Sequence, residues 1–507
     1  MLLVIAFASS PAAAFQVNQT YSRLDRAAEL IRQGNVARAE AELEDVLRTQ
    51  PHDANALNLL GVVRAQQQRE AEAEQLFLRA INESPRLVGP YVNLGRLYSD
   101  QRRPEQSLKA YTEASKLAPD RVDINISLAT LYEERRDFEQ AIKFLEKVPR
   151  SSRGISELYL MTRCYLGLGK TVEAINLITP LKRPGVLKAA EAAEFATVFI
   201  KQNLPDEAIA ILNAARQQEP SSFVLLYQLG ASYARKGDWK EAEEFYAAAL
   251  AVKPDSVVTM RDLARVARAR GELEKALSYL VRARKLAPDA PAVLYDFAVV
   301  AFSMGLIIDA FPVAERLYQQ QPDESAYVHL LAVTHFRRDE KAQAEALLRR
   351  YIQLCPNEKR GYYLLGVTLF TVKRYVDSRN ALEQSLAFGA NADSEYLLGL
   401  IAETEGDTES ALKWLQRTLK SDPSFAPAQT LLGVVYAEQK NYSQARVTLE
   451  RAVQLNAKDL RAHYQLGLVY AKLGEKERAQ QMFAISDQLR KEQREQETVG
   501  FKLIDQP

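Results

Sequence analysis

The sequence predicts an all-α solenoid in which about 14 copies of one two-helix unit follow one another along the chain. Three observations lead to this prediction: prolines recur at a constant spacing, two amphipathic helical patterns lie between successive prolines, and a small residue separates the two patterns. A chain of 507 residues exceeds the size of a single globular core, and a repeated unit removes that limit because each copy packs only on its neighbours.

Prolines mark the end of each unit. Two runs of prolines share a spacing of 34 residues: Pro51, Pro85 and Pro119, then Pro220, Pro254, Pro288, Pro322 and Pro356. Proline ends a helix because it lacks the backbone N–H and its ring clashes with the preceding turn. Helix ends at one constant spacing therefore predict one structural unit that is repeated along the chain.

Residues 223–254 display the pattern within one unit. Its members are small, aromatic and proline residues at fixed positions: Gly230, Tyr233, Ala242, Tyr246, Ala249 and Pro254. The first two lie on one face of a first helix, and the next three lie on one face of a second helix that begins after Gly237. We expect the small residues at 230 and 242 to let the two helices approach closely, with the tyrosines filling the space beside them.

This order of small, aromatic and proline residues resembles the tetratricopeptide repeat (TPR) consensus. The same register recurs in about 14 units between residues 20 and 486, so the resemblance covers nearly the whole chain. The resemblance implies a right-handed superhelix in which the first helix of each unit lines a concave inner surface. It also implies that this surface binds other proteins or peptides.

Two slips in the register divide the array. The interval from Pro119 to Pro220 is 101 residues, one short of three units, and the interval from Pro356 to Pro423 is 67 residues, one short of two. A solenoid end also needs a solvent-facing cap, and the polar residues after Ser486 suit that purpose. We therefore expect three blocks of four, seven and three repeats and then a polar capping helix and tail: 20–153, 155–390, 392–486 and 487–507.

The first residues have the pattern of an export signal. A short apolar stretch is followed by an Ala-x-Ala pattern at Ala12 and Ala14, so residues 1–14 are expected to direct export to a bacterial periplasm or another extracytoplasmic location. The basic residues that normally precede such a stretch are missing, and a cytoplasmic location is the alternative. No later stretch has 18 consecutive apolar residues, so we expect no integral membrane segment in the mature chain.

Charge and cysteine content bear on the partners. The 66 lysines and arginines nearly balance the 65 acidic residues, so no overall charge selects nucleic acid, and we expect protein or peptide ligands instead. Cys164 and Cys355 are expected to be free and mostly buried, because they are too few for a disulfide framework or a metal site. The sequence predicts no cofactor, no metal and no catalytic residue, and it leaves the oligomeric state open.

The resemblance places the fifth, ninth and twelfth residues of each unit on the inner surface. Three successive units put apolar and aromatic residues there: Tyr295, Val299, Phe302, His329, Val333, Phe336, Tyr363, Val367 and Phe370. Tyr227 and Tyr396 occupy the fifth position of other units, and the unit before the three has Arg261, Arg265 and Arg268. We expect an apolar strip that binds an extended or helical peptide, beside a basic patch that binds an acidic ligand.

Each part of this surface has a structural alternative. The aromatic and valine side chains can be ordinary core between neighbouring units. The arginines can pair with carboxylates such as Glu272 and Glu274 on a solvated face. Some peptide-binding members of the family hold a C-terminal carboxylate with a Lys/Asn set across three units, and no such set is in register here.

The function expected from these features is a non-catalytic scaffold that binds proteins or peptides, in envelope assembly, secretion or polysaccharide export. The alternative is the repeat arm of an O-linked glycosyltransferase system whose catalytic domain lies on another chain. Arms of that kind carry asparagines along the inner surface, whereas Asn58 and Asn93 are isolated in this sequence. A co-chaperone role is disfavoured by the missing carboxylate-binding set.

Overall fold

A computed structural model describes the backbone of residues 23–504 and the side chains of residues 23–492. The described backbone contains helices and turns and no strand. The expected export signal at 1–14 lies outside the described residues. The chain divides into two compact units after Pro254, which we call the first unit and the second unit.

In the first unit the helices follow one another in pairs. Their bounds are α1 (23–32), α2 (Val36–Thr49), α3 (Ala54–Gln66), α4 (Glu70–Glu83), α5 (Val88–Asp100), α6 (Pro104–Leu117), α7 (Val122–Glu134), α8 (Phe138–Lys147), α9 (Ile155–Gly167), α10 (Thr171–Ile178), α11 (Ala189–Lys201), α12 (Pro205–Arg216), α13 (Phe223–Lys236) and α14 (Trp239–Val252). Short 3-10 helices follow α8 and α10, at Arg150–Ser152 and Thr179–Lys182.

The second unit continues the same alternation. Its helices are α15 (Val257–Ala269), α16 (Leu273–Leu286), α17 (Pro291–Ser303), α18 (Ile307–Gln320), α19 (Ser325–Arg337), α20 (Lys341–Leu354), α21 (Lys359–Thr371), α22 (Tyr375–Ala387), α23 (Ala392–Thr404), α24 (Thr408–Ser421), α25 (Ala426–Glu438), α26 (Tyr442–Leu455), α27 (Leu460–Lys472) and α28 (Lys476–Ile504). The two units together hold 14 helix pairs within the described residues, which confirms the predicted all-α repeat fold.

Each pair of helices is held together by a close approach at one small residue, which in many pairs is a glycine. Gly61 on α3 lies against the ring of Phe77 on α4, so closely that a Cβ added to the glycine would be 2.5 Å from the Cε1 atom of the ring. Gly230 has the same relation to Tyr246, with a Cβ distance of 2.6 Å to Cδ1. The predicted contact between a small residue on the first helix and an aromatic residue on the second is therefore confirmed.

Two buried serines strengthen the same contact. In most repeats the second helix presents a buried alanine to the first helix, and in two repeats a serine takes that position. Ser107 donates a hydrogen bond of 2.7 Å to the carbonyl oxygen of Gly95, and Ser378 donates one of 2.7 Å to that of Gly366. Both hydroxyls are satisfied in the core, so the substitution adds a bond between the paired helices without leaving a polar group unpaired.

The carbonyl oxygens of two of the prolines that end the repeats accept hydrogen bonds from the next repeat. Asn125 and Tyr362 donate side-chain hydrogen bonds to the carbonyl oxygens of Pro119 and Pro356, which lie six residues earlier in each case. A side chain on the first turn of the next repeat thus satisfies a carbonyl of the turn between two repeats. This link between neighbouring units had no signal in the proline spacing.

The turn between the two helices of a repeat contains one residue with a positive φ. Seven repeats have glycine there: Gly34, Gly169, Gly237, Gly271, Gly305, Gly406 and Gly474. The other seven use a residue with a side chain: Gln68, Arg102, Arg136, Asn203, Asp339, Lys373 and Lys440. A Cβ in the left-handed region crowds the following carbonyl oxygen, so the second group stores backbone strain.

Replacing Lys373 by glycine is expected to stabilise the protein. The residue has φ 62° and an exposed side chain, so glycine relieves the strain without losing a buried contact. We expect a gain of about 0.5–1 kcal/mol, because the greater chain entropy of glycine in the unfolded state offsets part of the relief. The midpoint of urea unfolding measures the gain. Lys373→Ala is the control, because it keeps the strained φ and should leave the midpoint unchanged; equal gains in both variants would contradict the explanation.

The two register slips coincide with shortened second helices. At the first slip α8 has 10 residues and is followed by the 3-10 helix Arg150–Ser152. At the second slip α22 has 13 residues, and Gly389 follows it with φ 130°. The predicted polar capping helix is the continuation of α28, which runs unbroken from Lys476 to Ile504. The division into three blocks stays a prediction.

Both cysteines are free, as expected. Cys164 on α9 is buried, and burial raises the pKa of its thiol to about 12. Cys355 after α20 is only half-buried. In addition, no helix within the described residues combines the length and the apolar character that crossing a membrane requires.

Candidate protein-binding surface

The nine residues of the predicted strip lie on three first helices of the second unit, α17, α19 and α21. All nine are half-buried. The core of α17 is formed by other positions, including Leu294, Phe297 and Ala298, which are at most 7% exposed. The strip residues therefore occupy a different face of the same helices, beside the core and partly open to solvent.

One side of the strip rests on the core. Tyr295, Val299 and Phe302 pack against the hydrophobic cluster formed by α15 to α19, and Tyr363 and Phe370 pack against the cluster of α22 and α23. Their packing on these clusters fits the interpretation as core, and their partial exposure fits the interpretation as surface. Rings held in this way lose little conformational entropy when a ligand covers their open side.

Other aromatic residues extend the strip sideways. The ring of Tyr295 lies 5.8 Å from that of Tyr327 between centroids, and the imidazole of His329 lies 5.4 Å from the ring of Tyr351. Neither Tyr327 nor Tyr351 was expected at this surface. Tyr327 is the third residue of its unit and Tyr351 belongs to a second helix, so the rule based on the fifth, ninth and twelfth positions does not select them.

Two cations lie over phenylalanine rings of the strip. The Nζ atom of Lys341 is 3.7 Å from the centroid of the Phe336 ring, and the guanidinium carbon of Arg337 is 5.8 Å from that of Phe302. Lys341 also donates a hydrogen bond of 2.6 Å to the carbonyl oxygen of Phe336. The strip therefore has a basic edge, where cation–π contact keeps the two positive charges close to the apolar surface, and Asp339 neutralises part of the Lys341 charge at 3.2 Å.

His329 occupies the middle of the strip as a neutral side chain. Burial, together with the positive charge of Arg360, lowers the pKa of the imidazole from 6.5 to about 4. The Nε2 atom is buried and has no hydrogen-bond partner within the described residues. The strip therefore carries no charge at this point near neutral pH.

The two tyrosines outside the strip have different surroundings. Tyr396 on α23 packs against Phe425 with a centroid distance of 5.3 Å, and burial raises the pKa of its hydroxyl. Tyr227 on α13 belongs to the first unit, where its ring contacts Tyr246 at 5.5 Å and Phe223 at 6.0 Å. Tyr227 therefore takes part in the aromatic packing of its own repeat.

The predicted basic patch is largely neutralised, by a carboxylate that the sequence did not single out. Asp296, on α17, accepts from the Nε atom of Arg261 at 2.9 Å and lies 3.3 Å from a terminal nitrogen of Arg265. The alternative that the arginines pair with carboxylates holds for Arg261 and Arg265, although their partner is Asp296; of the two glutamates named as examples, Glu272 pairs with Arg270. Asp296 directly follows the predicted inner residue Tyr295 in the sequence. This position is the signal from which its contact with the inner arginines could have been predicted.

These observations define a class of protein: a helical-repeat chain whose first helices carry a partly open apolar surface. One tetratricopeptide-repeat family model matches more than half of the chain, and two further repeat models match additional parts. The first model matches residues 24–87, 92–154, 261–325, 363–425 and 396–454. The other two match residues 221–289 and residues 435–474. The chain therefore belongs to the tetratricopeptide repeat family, whose members are in general non-catalytic scaffolds that bind proteins. A family model for subunit 3 of the anaphase-promoting complex, cyclosome, matches residues 303–385.

Solved structures with similar helical arrays include complexes from several systems. The Cut9–Hcn1 hetero-tetramer of the APC/C is 15% identical with a TM-score of 0.42, covering 86% of this chain and 93% of that chain. The human IFIT1 dimer with PPP-AAAA is 14% identical with a TM-score of 0.41, covering 80% and 91%. PilF of Pseudomonas aeruginosa is 19% identical with a TM-score of 0.37, covering 42% and 97%. No curated protein matches the chain.

Proposed function

We propose that the second unit binds a segment of a partner protein along the strip formed by α17, α19 and α21. The observation that carries the proposal is the repeated half-burial of nine apolar or aromatic positions, three in each of three consecutive units. Large rings that are fixed on one side and open on the other are the residues that dominate binding energy in protein interfaces. The ligand is a segment with apolar side chains at its centre, in an extended or helical conformation.

The basic edge of the strip sets a preference among such segments. Lys341 and Arg337 lie beside Phe336 and Phe302, whereas His329 is neutral in the middle. A ligand with apolar anchors and a flanking acidic residue satisfies both features. Arg261 and Arg265 contribute less than expected to this preference, because Asp296 already neutralises part of their charge.

A four-residue variant tests the proposal. Tyr295→Ala, Phe302→Ala, Phe336→Ala and Tyr363→Ala together remove the open rings of the strip. Since a central interface aromatic contributes about 2 kcal/mol or more, retention of partner proteins on the immobilised chain should fall at least about tenfold. Quantitative mass spectrometry of proteins retained from an extract of the source cells measures the loss.

The control changes apolar residues that are exposed elsewhere in the same repeats. Ile308, Val372 and Val376 are 86%, 42% and 63% exposed, and their replacement by alanine removes apolar surface without touching the strip. Circular dichroism melting verifies that both variants remain folded. If folded chains of both kinds retain the same partners in the same amounts, the strip is not the binding surface.

We further propose that the mature chain acts outside the cytoplasm, in envelope assembly, secretion or polysaccharide export. The apolar stretch and Ala-x-Ala pattern of residues 1–14 support this location. The proposal is tested by fusing residues 1–30 to a reporter enzyme that becomes active only after export. An inactive reporter would favour the cytoplasmic alternative.

The glycosyltransferase-arm alternative has one observation in its favour. Asn93 donates a side-chain hydrogen bond of 2.9 Å to the Oδ1 atom of Asn58 in the preceding repeat, so the two asparagines form a contiguous pair. A longer row of asparagines would support the alternative more strongly. Recovery of a glycosyltransferase in the retention experiment above, from the intact chain only, would favour the arm over the scaffold.

A further inference from the structure

Two adjoining clefts lie on the first helices of four consecutive repeats in the first unit. One cleft, of about 480 Å³, lies between α5 and α7, and the other, of about 830 Å³, lies between α7, α9 and α11. Glu134 lines both, so the two clefts adjoin at that residue, and together we call them the polar groove. Its lining includes fifth and ninth positions of the repeats, the same positions that carry the aromatic strip in the second unit.

The chemistry of the polar groove differs from that of the strip. Hydroxyl groups line it at Ser127, Thr130 and Thr197, and cationic side chains line it at five positions: Arg96, Arg102, Arg136, Arg163 and Lys201. Three carboxylates oppose these five cations: Asp100, Glu133 and Glu134. The lining therefore has an excess of positive charge, although the whole chain is nearly neutral.

One of the cations is held in a fixed position. Glu133 has a side chain only 9% exposed and pairs with a terminal nitrogen of Arg163 at 2.6 Å. The guanidinium carbon of Arg163 also lies 5.8 Å from the centre of the Tyr159 ring, which in turn packs edge-on against Phe195. Contacts on these two sides hold the guanidinium in the groove, and its other N–H groups stay available because the side chain is 43% exposed.

Two other cationic side chains of the groove, Arg96 and Lys201, have no ion-pair partner among the described residues. The side chains of Arg96 and Lys201 are exposed, and neither forms an ion pair or a side-chain hydrogen bond with any residue that the structure describes. Arg96 lies in the smaller cleft and Lys201 lies in the larger one, with Arg163 between them in the repeat order. A ligand that follows the groove therefore meets three basic groups in succession.

We propose that the polar groove binds an extended acidic segment of a protein partner. Carboxylates of the segment pair with Arg96, Arg163 and Lys201, and the hydroxyl oxygen of Thr130, which already donates to the carbonyl oxygen of Ile126, accepts from a backbone N–H of the segment. A single-stranded nucleic acid fits less well, because binding of bases depends on open aromatic faces. Tyr111 is 5% exposed here, Tyr159 contacts Phe195 and Arg163, and the ring of Phe138 packs against Gly167.

The test uses a peptide of alternating glutamate and serine, labelled with a fluorophore and blocked at both ends so that only its side chains carry charge. Fluorescence anisotropy with the full chain measures the affinity at two salt concentrations. We expect binding that weakens as salt rises, because the contacts are screened ion pairs. We expect the double variant Arg96→Glu, Lys201→Glu to bind at least about tenfold more weakly, since each reversal replaces an attraction by a repulsion.

The matched control reverses the same amount of charge on second helices. Lys109 on α6 and Lys143 on α8 are exposed, and Lys109→Glu, Lys143→Glu changes the net charge as the groove variant does. The control should stay within about twofold of the unchanged chain, because these two lysines do not line the groove and salt screens exposed charges that act through solvent. Equal losses in the two variants would reduce the effect to net charge and overturn the proposal.

Further outcomes decide the kind of ligand. A peptide of alternating glutamine and serine should not bind, and equal binding of this neutral peptide would overturn the proposal. Tighter binding of an oligouridylate that is lost in the groove variant would replace the acidic segment by nucleic acid. Because the strip and the polar groove lie in different units, variants of one leave the other intact, and failure of either proposal is seen separately.

Discussion

Replacing Phe77 by alanine is expected to destabilise the second and third repeats by about 3–5 kcal/mol. The ring is 1% exposed, and it packs between Gly61 on the paired helix and a cluster that includes Leu94 and Tyr98 of the next repeat. Removing it opens a cavity both between the two helices of the second repeat and at the interface of that repeat with the third. Native-state hydrogen exchange of α3 to α6 measures the loss locally, which suits a solenoid in which repeats open separately.

The glycine opposite the ring provides a sharper test of the same contact. Gly61→Ala alone should cost about 1–3 kcal/mol, because the new Cβ would lie 2.5 Å from the Phe77 ring. In the Phe77→Ala background the same change should cost nothing or stabilise, because the space is then free and alanine favours the helix by about 1 kcal/mol. Additive effects of the two substitutions would show that the close approach is not what couples them.

The second large effect is a loss of stability in acid through His329. The pKa of its imidazole is about 4 in the folded chain and 6.5 for an unperturbed histidine, so between these values the unfolded chain binds a proton that the folded chain does not. The contribution of the neutral imidazole to the free energy of unfolding is fully present above about pH 6.5. It falls as the pH drops toward about 4, by at most about 3 kcal/mol. Below that range the folded imidazole is also protonated and this contribution stops changing.

The comparison of wild type with His329→Leu isolates the effect. Unfolding midpoints at pH 7.5 and at pH 4.5 should differ less in the variant, because leucine does not titrate and can pack against Tyr351 as the neutral imidazole does. Val333→Ala is the control: it changes another half-buried side chain of α19 that carries no titratable group, so this variant should keep the full wild-type difference. A variant at His329 that loses stability in acid as steeply as wild type would contradict the assignment.

The same pH range should affect the proposed binding surface. A charged imidazole in the middle of the strip would face Tyr351 and the positive charge of Arg360. Binding of an apolar segment there is expected to weaken in acid, for the same reason that the folded chain resists protonation. The strip is thus an apolar surface under the conditions in which its central histidine stays neutral.

The position of each repeat could be predicted because it depends on local chemistry. Proline ends a helix, as at Pro254, and a small residue is needed where two helices touch, as at Gly230 and Ala242. Each of these positions recurs at a spacing of 34 residues in neighbouring repeats. The starts of α13, α15, α17 and α19 coincide with the first residues of the predicted units. Even the two slips in spacing were visible, because one residue is missing from the count at each of them.

Pairing partners could not be predicted, because they lie on different helices. Asp296 neutralises Arg261 from the next repeat, and Glu133 fixes Arg163 from the preceding one. A carboxylate near an arginine in sequence, such as Glu274, was the natural expectation, yet adjacent first helices bring residues about one repeat apart into contact. The positive φ values at Gln68 and Lys373 were likewise invisible, because the residue types there do not favour that conformation.

The sequence by itself determined the repeat, its register and the face of each first helix on which the strip residues lie, since these follow from helix periodicity and from the residues that helix contacts tolerate. Only the tertiary structure decided how deeply each strip residue is buried, which charges are neutralised, and where a groove opens between neighbouring helices. Burial and charge pairing are properties of side chains brought together from separate repeats, and the free energy of each depends on distances that no single repeat contains.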